Sequence, residues 1–344
     1  MPQLYATIGP KCCTQTIFES MLQEGLNGIR LNLSHTSLHL STEVIHDYAE
    51  ACRNTGGPEN IIIDLHGPEQ RVGILDSPFS LKAGDNLIIQ HESTPNSLPV
   101  LPLSPSILEA VQINDRLLIQ DGSISLQVTG RGQESEGIAP SFICRVLRGG
   151  TVSSRVSVKI EGKEIYGPVL TDEDMDNLKL AKDLRITGIM QPFVRSGSDI
   201  CRVRRALSDF GITNTKIYAK IESLAGYDQL DSIIRECDVI VIARGDLGQA
   251  VPLWELPALQ KNIAERCRAS HMPFMVVTQM LQSMKAAPVP TRAEVSDIFN
   301  AVLDGASYLM VTGETAVGQY PDLVVRYLKK TSAEAEKYLE SHGG

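Results

Sequence analysis

Short apolar and β-branched runs alternate with longer segments of helical periodicity along most of the chain. The run Ile61-Ile62-Ile63-Asp64 shows the pattern well: it is apolar on both faces, as strands buried in parallel sheets are. The pattern predicts eight strands, at 4–8, 28–33, 61–64, 188–194, 216–221, 239–243, 274–278 and 308–312. It predicts helices between and after them, at 14–25, 38–54, from Thr171 onward, 198–209, 224–235, 255–270, 292–304 and 321–340.

One segment interrupts this alternation after the third strand. Residues 73–167 are rich in Gly, Ser and Pro and contain strand-like pieces at 116–120, 123–129 and 142–146. We therefore predict a small all-β lid domain at 73–167, inserted into a catalytic domain made of 1–72 and 168–344. Without those 95 residues, 249 of the 344 remain, close to the typical TIM-barrel length of about 250. The predicted fold is an α/β (β/α)8 TIM barrel, and an open doubly wound sheet is the alternative with the same periodicity.

Composition and charge narrow the class of protein. With 42% apolar and 21% charged residues, the chain is neither disordered nor collagen-like, and it is too long for a disulfide mini-protein. A net charge of −9 without a basic run argues against nucleic-acid and membrane partners. The start carries no signal peptide, and no apolar run approaches the roughly 20 residues of a membrane helix. Seven cysteines without C-x-x-C spacing are typical of reduced thiols, so we expect a cytoplasmic protein.

Polar and ionisable residues follow the predicted strands at their carboxyl ends, where barrel enzymes place their active sites. These residues are listed here by the predicted strand whose carboxyl end they occupy: second strand, Arg30, Asn32, Ser34 and His35; third strand, Asp64, Glu69 and Arg71; fifth strand, Lys220 and Glu222; sixth strand, Arg244 to Gly248; seventh strand, Thr278 and Gln279; eighth strand, Gly313 to Thr315. Their convergence on one rim predicts a functional site there.

The residue types indicate phosphoryl chemistry on a small anion. Glu222 and Asp246, on neighbouring strands, suit a divalent cation, and Lys220 shares a strand face with Glu222. Arg30 and Lys220 suit a phosphoryl clamp, and amide groups at the start of a short helix at 245–248 suit a carboxylate. Asn32, Ser34 and Asp64 form an oxygen-rich cluster without a second strong positive charge, which suits a weakly held monovalent cation.

Each feature also has a purely structural interpretation. A Lys–Glu pair is commonly a surface salt bridge, and an Asp after a strand is commonly a helix cap. His35 and His39, four residues apart, are more simply solvated helix-start residues than metal ligands. The chain has no dinucleotide-binding or P-loop motif.

Nine segments, in chain order, carry a resemblance to a known family. They are IGP at 8–10, RLNLSH at 30–35, DLHGPEQR at 64–71, AKIES at 219–223, ARGDLG at 243–248, TQMLQSM at 278–284, PTRAE at 290–294, NAVLDG at 300–305 and GETA at 313–316. Together they strongly resemble pyruvate kinase. The insertion resembles the family's small B domain more weakly, through Gln120-Asp121-Gly122.

The resemblance implies transfer of phosphate from phosphoenolpyruvate to ADP, giving pyruvate through an enolate, with Mg²⁺ or Mn²⁺ and K⁺ as cofactors. Implied catalytic residues are Lys220, Arg30 and Thr278, and implied substrate contacts are Arg71, Gly245, Asp246 and Thr278. Implied divalent-metal ligands are Glu222 and Asp246, and the implied potassium site is Asn32, Ser34, Asp64 and the backbone of Leu65. His35, Arg155 and Asp121 are weaker candidates for nucleotide contacts. The resemblance also implies a homodimer through the barrel.

The sequence departs from the family pattern in the nucleotide half of the implied site. Val317 and Leu40 stand where the family usually has a lysine and an aromatic residue, and the segment 155–163 replaces a lysine-bearing stretch. These changes leave two alternatives to a kinase: an enolate-handling enzyme with another acceptor or a C–C lyase or decarboxylase activity, and a non-catalytic ligand sensor. We also expect the family's C-terminal regulatory domain to be absent, since the chain ends with the barrel's last predicted helix.

Overall fold

Eight parallel strands close into a barrel in the computed structural model, which describes residues 1–91, 97–120, 122–132, 140–163, 165 and 167–342. The described residues form sixteen strands in all, eight of them in the barrel: β1 (Gln3–Thr7), β2 (Gly28–Asn32), β3 (Ile61–Asp64), β4 (Phe79–Leu81), β5 (Asn86–Gln90), β6 (Val100–Pro102), β7 (Arg116–Ile119), β8 (Ile124–Arg131), β9 (Phe142–Arg148), β10 (Gly150–Val152), β11 (Val158–Ile160), β12 (Gly188–Gln191), β13 (Lys216–Ile221), β14 (Val239–Ala243), β15 (Phe274–Val277) and β16 (Tyr308–Val311). The barrel order is β1-β16-β15-β14-β13-β12-β3-β2, and β2 pairs with β1 to close it. The predicted TIM barrel is therefore confirmed, and the open sheet is excluded.

Helices alternate with the barrel strands. They are α1 (Gln15–Gln23), α2 (Thr42–Thr55), α3 (Pro105–Ala110), α4 (Asp172–Ala181), α5 (Gly197–Asp209), α6 (Leu224–Asp228), α7 (Leu230–Ile234), α8 (Arg244–Ala250), α9 (Leu256–Ala269), α10 (Arg292–Leu303), α11 (Gly313–Ala316) and α12 (Pro321–His342), with 3-10 turns at His39–Ser41 and Gln282–Lys285. Capping boxes start α4 at Thr171 and α10 at Thr291. None of the described helices is long and apolar enough to cross a membrane.

Four barrel strands, β2, β12, β15 and β16, are shorter than predicted, and the backbone explains two of these differences. β12 ends at Gln191 because Pro192 has no N–H to donate and Phe193 has a φ of 47°. β15 ends at Val277 because Thr278 has a φ of 79°. Both strand ends therefore turn sharply at the barrel rim.

The barrel interior changes from apolar to charged along its axis. Tyr5, Tyr218 and Tyr308 fill the amino end, where the ring centroids of Tyr308 lie 6.0 Å and 5.9 Å from those of the other two. Gly28 and Gly188 leave room for these rings, since a Cβ on either would overlap a tyrosine. Two residues further along each strand the same face points inward again, which brings polar side chains to the carboxyl end.

The chain divides into two compact units: Met1–Gly67 with Val169–Gly344, which holds the barrel, and Pro68–Pro168. The second unit contains a six-stranded sheet of order β11-β7-β8-β9-β5-β6 and the antiparallel pair β10-β4. It has its own apolar core, in which Leu87, Leu101 and Leu117 are fully buried. The sequence did not predict its short helix α3, which Ser104 caps through the amide of Ile107.

Candidate active site

Ionisable side chains line the carboxyl end of the barrel interior. β2, β3 and β13 carry Arg30, Asp64 and Lys220, each two residues beyond an inward-facing position of the same strand. Arg30 is 8% exposed and Asp64 1% exposed, so these charges are held away from bulk water. The sequence placed all three at this rim, and the structure brings them into contact.

Asp64 accepts hydrogen bonds from both cations. Its Oδ2 lies 3.1 Å from Nε of Arg30 and 3.2 Å from Nζ of Lys220, and Nη2 of Arg30 donates to the same oxygen. Nη1 of Arg30 donates to Oγ1 of Thr7 at 3.0 Å, which fixes the guanidinium. Two positive charges aimed at one carboxylate oxygen suit a group with several anionic oxygens, such as a phosphoryl group.

Glu222 lies on the other side of Lys220. Its Oε1 is 3.0 Å from Nζ of Lys220, as the shared strand face predicts, and its Oε2 accepts from the amide of Phe193 at 2.8 Å. The left-handed turn at Phe193 is what aims this amide at the carboxylate. Glu222 is thus a buried and oriented carboxylate.

Burial and neighbouring charges set the protonation states. Burial raises the pKa of Glu222 to about 7 against the opposing effect of Lys220, and the Asp246 and Asp64 carboxylates add to the rise. Burial alone would lower the pKa of Lys220, but Asp64 and Glu222 outweigh it and hold that pKa above its usual value. Burial likewise opposes ionisation of Asp64, yet Lys220 and Arg30 hold its pKa below the usual value. Lys220 therefore works as a fixed cation.

Thr278 and Gly245 meet beside the proposed metal ligand Asp246. A Cβ on Gly245 would lie 3.1 Å from Cγ2 and 3.7 Å from Oγ1 of Thr278, so the side chain of Thr278 packs on the start of α8. The short helix predicted at 245–248 is present as α8. The structure thus joins two of the predicted substrate contacts.

One candidate cation faces elsewhere. The sequence placed Arg244 on the rim with the residues expected to form the functional site around a small anion, but its guanidinium is bound to other groups of the protein. Its guanidinium donates to the carbonyl of Thr278 and to Oδ1 of Asp297 at 2.8 Å. The reason is that these acceptors, one directly after β15 and one on α10, hold the guanidinium.

The expectation about the potassium cluster also needs correction. Asp64 was grouped with Asn32 and Ser34 as oxygens without a second strong positive charge, but Arg30 and Lys220 both bind it. Asn32 Oδ1 accepts from the amide of Ser34 at 3.2 Å, and the amide of Leu65 donates to the next strand. The one charged member of the cluster is therefore already paired, and the side-chain oxygens of Asn32 and Ser34 are neutral.

The remaining predicted residues are distributed over both units. His35 is exposed after β2, at the rim of the barrel. Arg71 and Arg155 belong to the second unit, where Arg71 pairs with Glu69 and donates to the carbonyl of Arg155 at 2.8 Å. Asp121 lies outside the described residues.

Sequence reasoning missed several residues that shape the site. Thr7 and Phe193 orient Arg30 and Glu222, and no motif singles them out. Glu314 was placed on the rim, but it is fully buried and accepts from the amides of Leu281 and Thr312, so it braces the turn after β16. Lys285 extends over Gly313, where a Cβ would lie 2.6 Å from Nζ. A glycine at the start of GETA was the available signal for such a close approach.

The residues present fit a divalent cation whose coordination shell is completed by water and substrate. Among the described residues no three His, Cys, Asp or Glu side chains form a group that could hold a metal alone. Mg²⁺ is commonly held by only one or two carboxylates, and water and substrate oxygens complete its shell. Glu222 and Asp246 would be the two carboxylates here.

Comparison with known proteins points to one family. A family model described as the pyruvate kinase barrel domain matches residues 2–325. The chain is 33% identical over 342 residues to a pyruvate kinase of Geobacillus stearothermophilus, covering 98% of this chain and 57% of the relative. It is 35% identical over 347 residues to the human pyruvate kinase PKLR, covering 97% and 59%. With a pyruvate kinase of Chlamydia trachomatis, identity is 34% over 342 residues, covering 99% and 69%.

A solved structure agrees with these matches. The crystal structure of Cryptosporidium parvum pyruvate kinase superposes with a TM-score of 0.87 at 33% identity, covering 97% of this chain and 70% of that one. The chain spans less than three fifths of the length of the first curated relatives it matches.

Proposed function

This chain belongs to the pyruvate kinase family, and from that premise we propose that it transfers the phosphoryl group of phosphoenolpyruvate to ADP and releases pyruvate. The observation that carries the proposal is the position of Lys220, between Asp64 and Glu222 and beside Arg30, at the carboxyl end of the barrel. Phosphoryl transfer needs cations on the moving group more than it needs covalent chemistry. The relatives are named pyruvate kinases, which favours ADP as the phosphoryl acceptor over another acceptor or a lyase reaction.

In the proposed mechanism, Arg30 and Lys220 contact the phosphoryl group as it moves. Both are fixed by Asp64, so they are already oriented before substrate binds. Glu222 and Asp246 would hold Mg²⁺ or Mn²⁺, which supplies charge stabilisation for the enolate and phosphoryl oxygens. Gly245 and Asp246 would meet the substrate carboxylate through their amides, and Arg71 is a further proposed substrate contact.

Thr278 is the proposed site of the last step. When the P–O bond of phosphoenolpyruvate has broken, the enolate keeps the electron pair, and its terminal carbon takes one proton. Thr278 lies next to Gly245 and Asp246, so its hydroxyl can pass a proton from water to that carbon.

A potassium site and nucleotide contacts are also proposed. A monovalent K⁺ would lie at Asn32, Ser34, Asp64 and the carbonyl of Leu65, and His35 and Arg155 would contact the nucleotide. All seven cysteines are free thiols, which supports a reducing, cytoplasmic location.

The chain is also proposed to form a homodimer. Leu253 and Trp254, just before α9, are exposed and support an apolar contact of this kind. Sedimentation of the purified chain measures its oligomeric state.

The test is a coupled assay of pyruvate release from phosphoenolpyruvate, with a panel of nucleoside diphosphates and with K⁺ replaced by Na⁺. We expect turnover that needs a divalent cation, a diphosphate and K⁺. Pyruvate methyl protons that exchange with solvent, without phosphorylation of any diphosphate, would instead support an enolate-handling enzyme with another acceptor.

A further inference from the structure

Thr278 has a backbone conformation that is unusual for its residue type. Its φ is 79°, and Gln279 after it has a φ of 55°. A β-branched residue seldom occupies this left-handed region, because its side chain crowds its own backbone. Such a conformation persists only where the surroundings hold it, and it is found most often at functional sites.

The guanidinium of Arg244 donates hydrogen bonds to this backbone. Its Nη2 lies 2.7 Å from the carbonyl oxygen of Thr278, and its Nε lies 3.2 Å from the same oxygen and 3.3 Å from that of Val277. Hydrogen bonds from a charged donor are stronger than neutral ones. A planar guanidinium can donate to adjacent carbonyls together, and the single ammonium of a lysine cannot reproduce that geometry.

The same guanidinium is reached from outside the barrel. Nη1 of Arg244 is 2.8 Å from Oδ1 of Asp297 on α10, and the side chain of Arg244 is 12% exposed. It lines a cavity of about 240 Å³ together with Gln260, Lys261 and Asp297. In a variant without the guanidinium, a small ion can therefore reach the vacated position from solvent.

We propose that Arg244 is a positioning residue that fixes the left-handed conformation of Thr278 and thereby presents the Thr278 side chain to the enolate carbon. The inference rests on the proposed function, since it assigns Arg244 to the proton-transfer half of that reaction. Arg244 acts on the reaction only through the carbonyl of Thr278, whereas the carboxylate of Asp246 is itself a proposed metal ligand.

The test uses two substitutions that separate the carbonyl bonds from the ion pair. Arg244→Ala removes both, and Asp297→Asn removes only the charge of the partner on α10. The first readout is exchange of the pyruvate methyl protons with deuterated water. A C–H bond breaks, the electron pair stays on the enolate and the proton goes to solvent; the same electron pair then takes a deuteron from solvent and forms a C–D bond. The second readout is the Cα and Cβ chemical shifts of Thr278 in threonine-labelled protein, which report its backbone conformation without any turnover.

We expect Arg244→Ala to slow exchange about a hundredfold, as a misplaced catalytic group does, with Mn²⁺ affinity unchanged and the Thr278 shifts moved. Millimolar guanidinium should restore a large part of that rate through the cavity, while ammonium should not. Asp297→Asn should keep exchange and shifts close to those of the unmodified protein. Arg244→Lys, which keeps the charge, should behave like Arg244→Ala and covers the case in which the alanine variant does not fold.

Three results would overturn the inference: unchanged exchange in Arg244→Ala, unchanged Thr278 shifts, or an Asp297→Asn variant as impaired as Arg244→Ala. The last would make Arg244 a link between α8 and α10 and nothing more. If the unmodified chain neither forms pyruvate nor exchanges its protons, the proposed function is wrong, and the Thr278 shifts still decide whether Arg244 holds this backbone.

Discussion

The ammonium nitrogen of Lys220 lies 3.0 Å from Oε1 of Glu222, two residues further along the same chain. A strand repeats its faces every two residues, and Glu222 directly follows β13, so the extended chain there puts both side chains on one face. The structure adds Asp64 at 3.2 Å on the other side, which holds the ammonium at a fixed point of the barrel rim.

Removing the ammonium should abolish phosphoryl transfer. In Lys220→Met the phosphoryl group loses one of its two cations in a buried setting, so we expect pyruvate formation to fall by at least about a thousandfold. The fold should remain, because Arg30 still pairs with Asp64 and Glu222 can take up a proton. Circular dichroism checks the fold, and the coupled assay measures turnover.

The matched control is Lys179→Met. Lys179 is an exposed residue of α4 that pairs with Asp176 three positions earlier, and exposed pairs contribute little. Turnover in that variant should equal that of the unmodified chain. A Lys220→Met variant that keeps its turnover would remove Lys220 from the mechanism.

Glu222→Gln should weaken divalent-cation binding. The amide keeps the shape of the side chain and its contact with the amide of Phe193, but it removes the negative charge that attracts the cation. We expect the dissociation constant for Mn²⁺ to rise by at least about tenfold. Electron paramagnetic resonance of free Mn²⁺ measures it without any need for turnover.

Asp231→Asn provides the comparison for that experiment. Asp231 pairs with Arg266 on the outer ring of helices and is well exposed, so its loss should leave Mn²⁺ binding unchanged. An equal effect of both substitutions would mean that Glu222 acts only through the net charge of the protein. The cation would then have other ligands.

How far the sequence could predict this site depends on whether local geometry decides each contact. The pairing of Lys220 with Glu222 joins two residues of one short segment at the end of β13, so the spacing sufficed. The contact of Asp64 with both Arg30 and Lys220 needs three strands of a closed barrel, and it overturns the expected absence of a second strong charge there. Arg244 was misplaced because the acceptors that hold its side chain, Asp297 and the carbonyl of Thr278, come from distant parts of the chain.

The residues with positive φ could not be predicted from the sequence either. L-amino acids strongly prefer negative φ, so no propensity predicts Phe193 at 47° or Thr278 at 79°. The strand ends were therefore predicted too late at both places. The barrel itself was predictable, since the alternation of apolar runs with helical segments extends over the whole first unit.

Asp174 should stabilise the first unit in a pH-dependent way. It is fully buried on α4, where Oδ1 accepts from the amide of His66 at 2.7 Å and Oδ2 from those of Gly67 and Thr171 at 3.0 Å and 2.9 Å. We expect Asp174→Asn to lower the free energy of unfolding by about 1.5–3 kcal/mol at neutral pH, because hydrogen bonds to a charged acceptor are lost. Thermal unfolding measured across pH tests this.

The sign of the pH effect follows from the direction of the shift. Burial would raise the pKa of Asp174, but the hydrogen bonds from His66 and Thr171 outweigh it and hold the pKa below its usual value. The stabilisation is therefore present above the unfolded pKa of about 3.9 and is lost as the pH falls through the folded value. The difference between the two proteins should shrink at acidic pH, and a constant difference from neutral to acidic pH would contradict this account.

Gly245→Ala should lower activity without lowering stability. Alanine is the better helix former by up to about 1 kcal/mol, and Gly245 lies in the first turn of α8. The new Cβ, however, would lie 3.1 Å from Cγ2 of Thr278 and would push that side chain away from the reacting carbon. We expect turnover to fall about tenfold or more, since small misplacements of catalytic groups are costly, while the melting temperature stays near that of the unmodified chain.

Gly248→Ala tests whether crowding in α8 alone explains such a loss. A Cβ on Gly248 would also meet a neighbour at 3.1 Å, but that neighbour is Cδ2 of Leu256, which is not part of the proposed site. Because the helix and the contact distance match, the two variants differ mainly in whether Thr278 is displaced. Equal activity of the two variants would show that the close approach of Thr278 to Gly245 has no role in turnover. A loss confined to Gly245→Ala would place the requirement for glycine at the Thr278 contact.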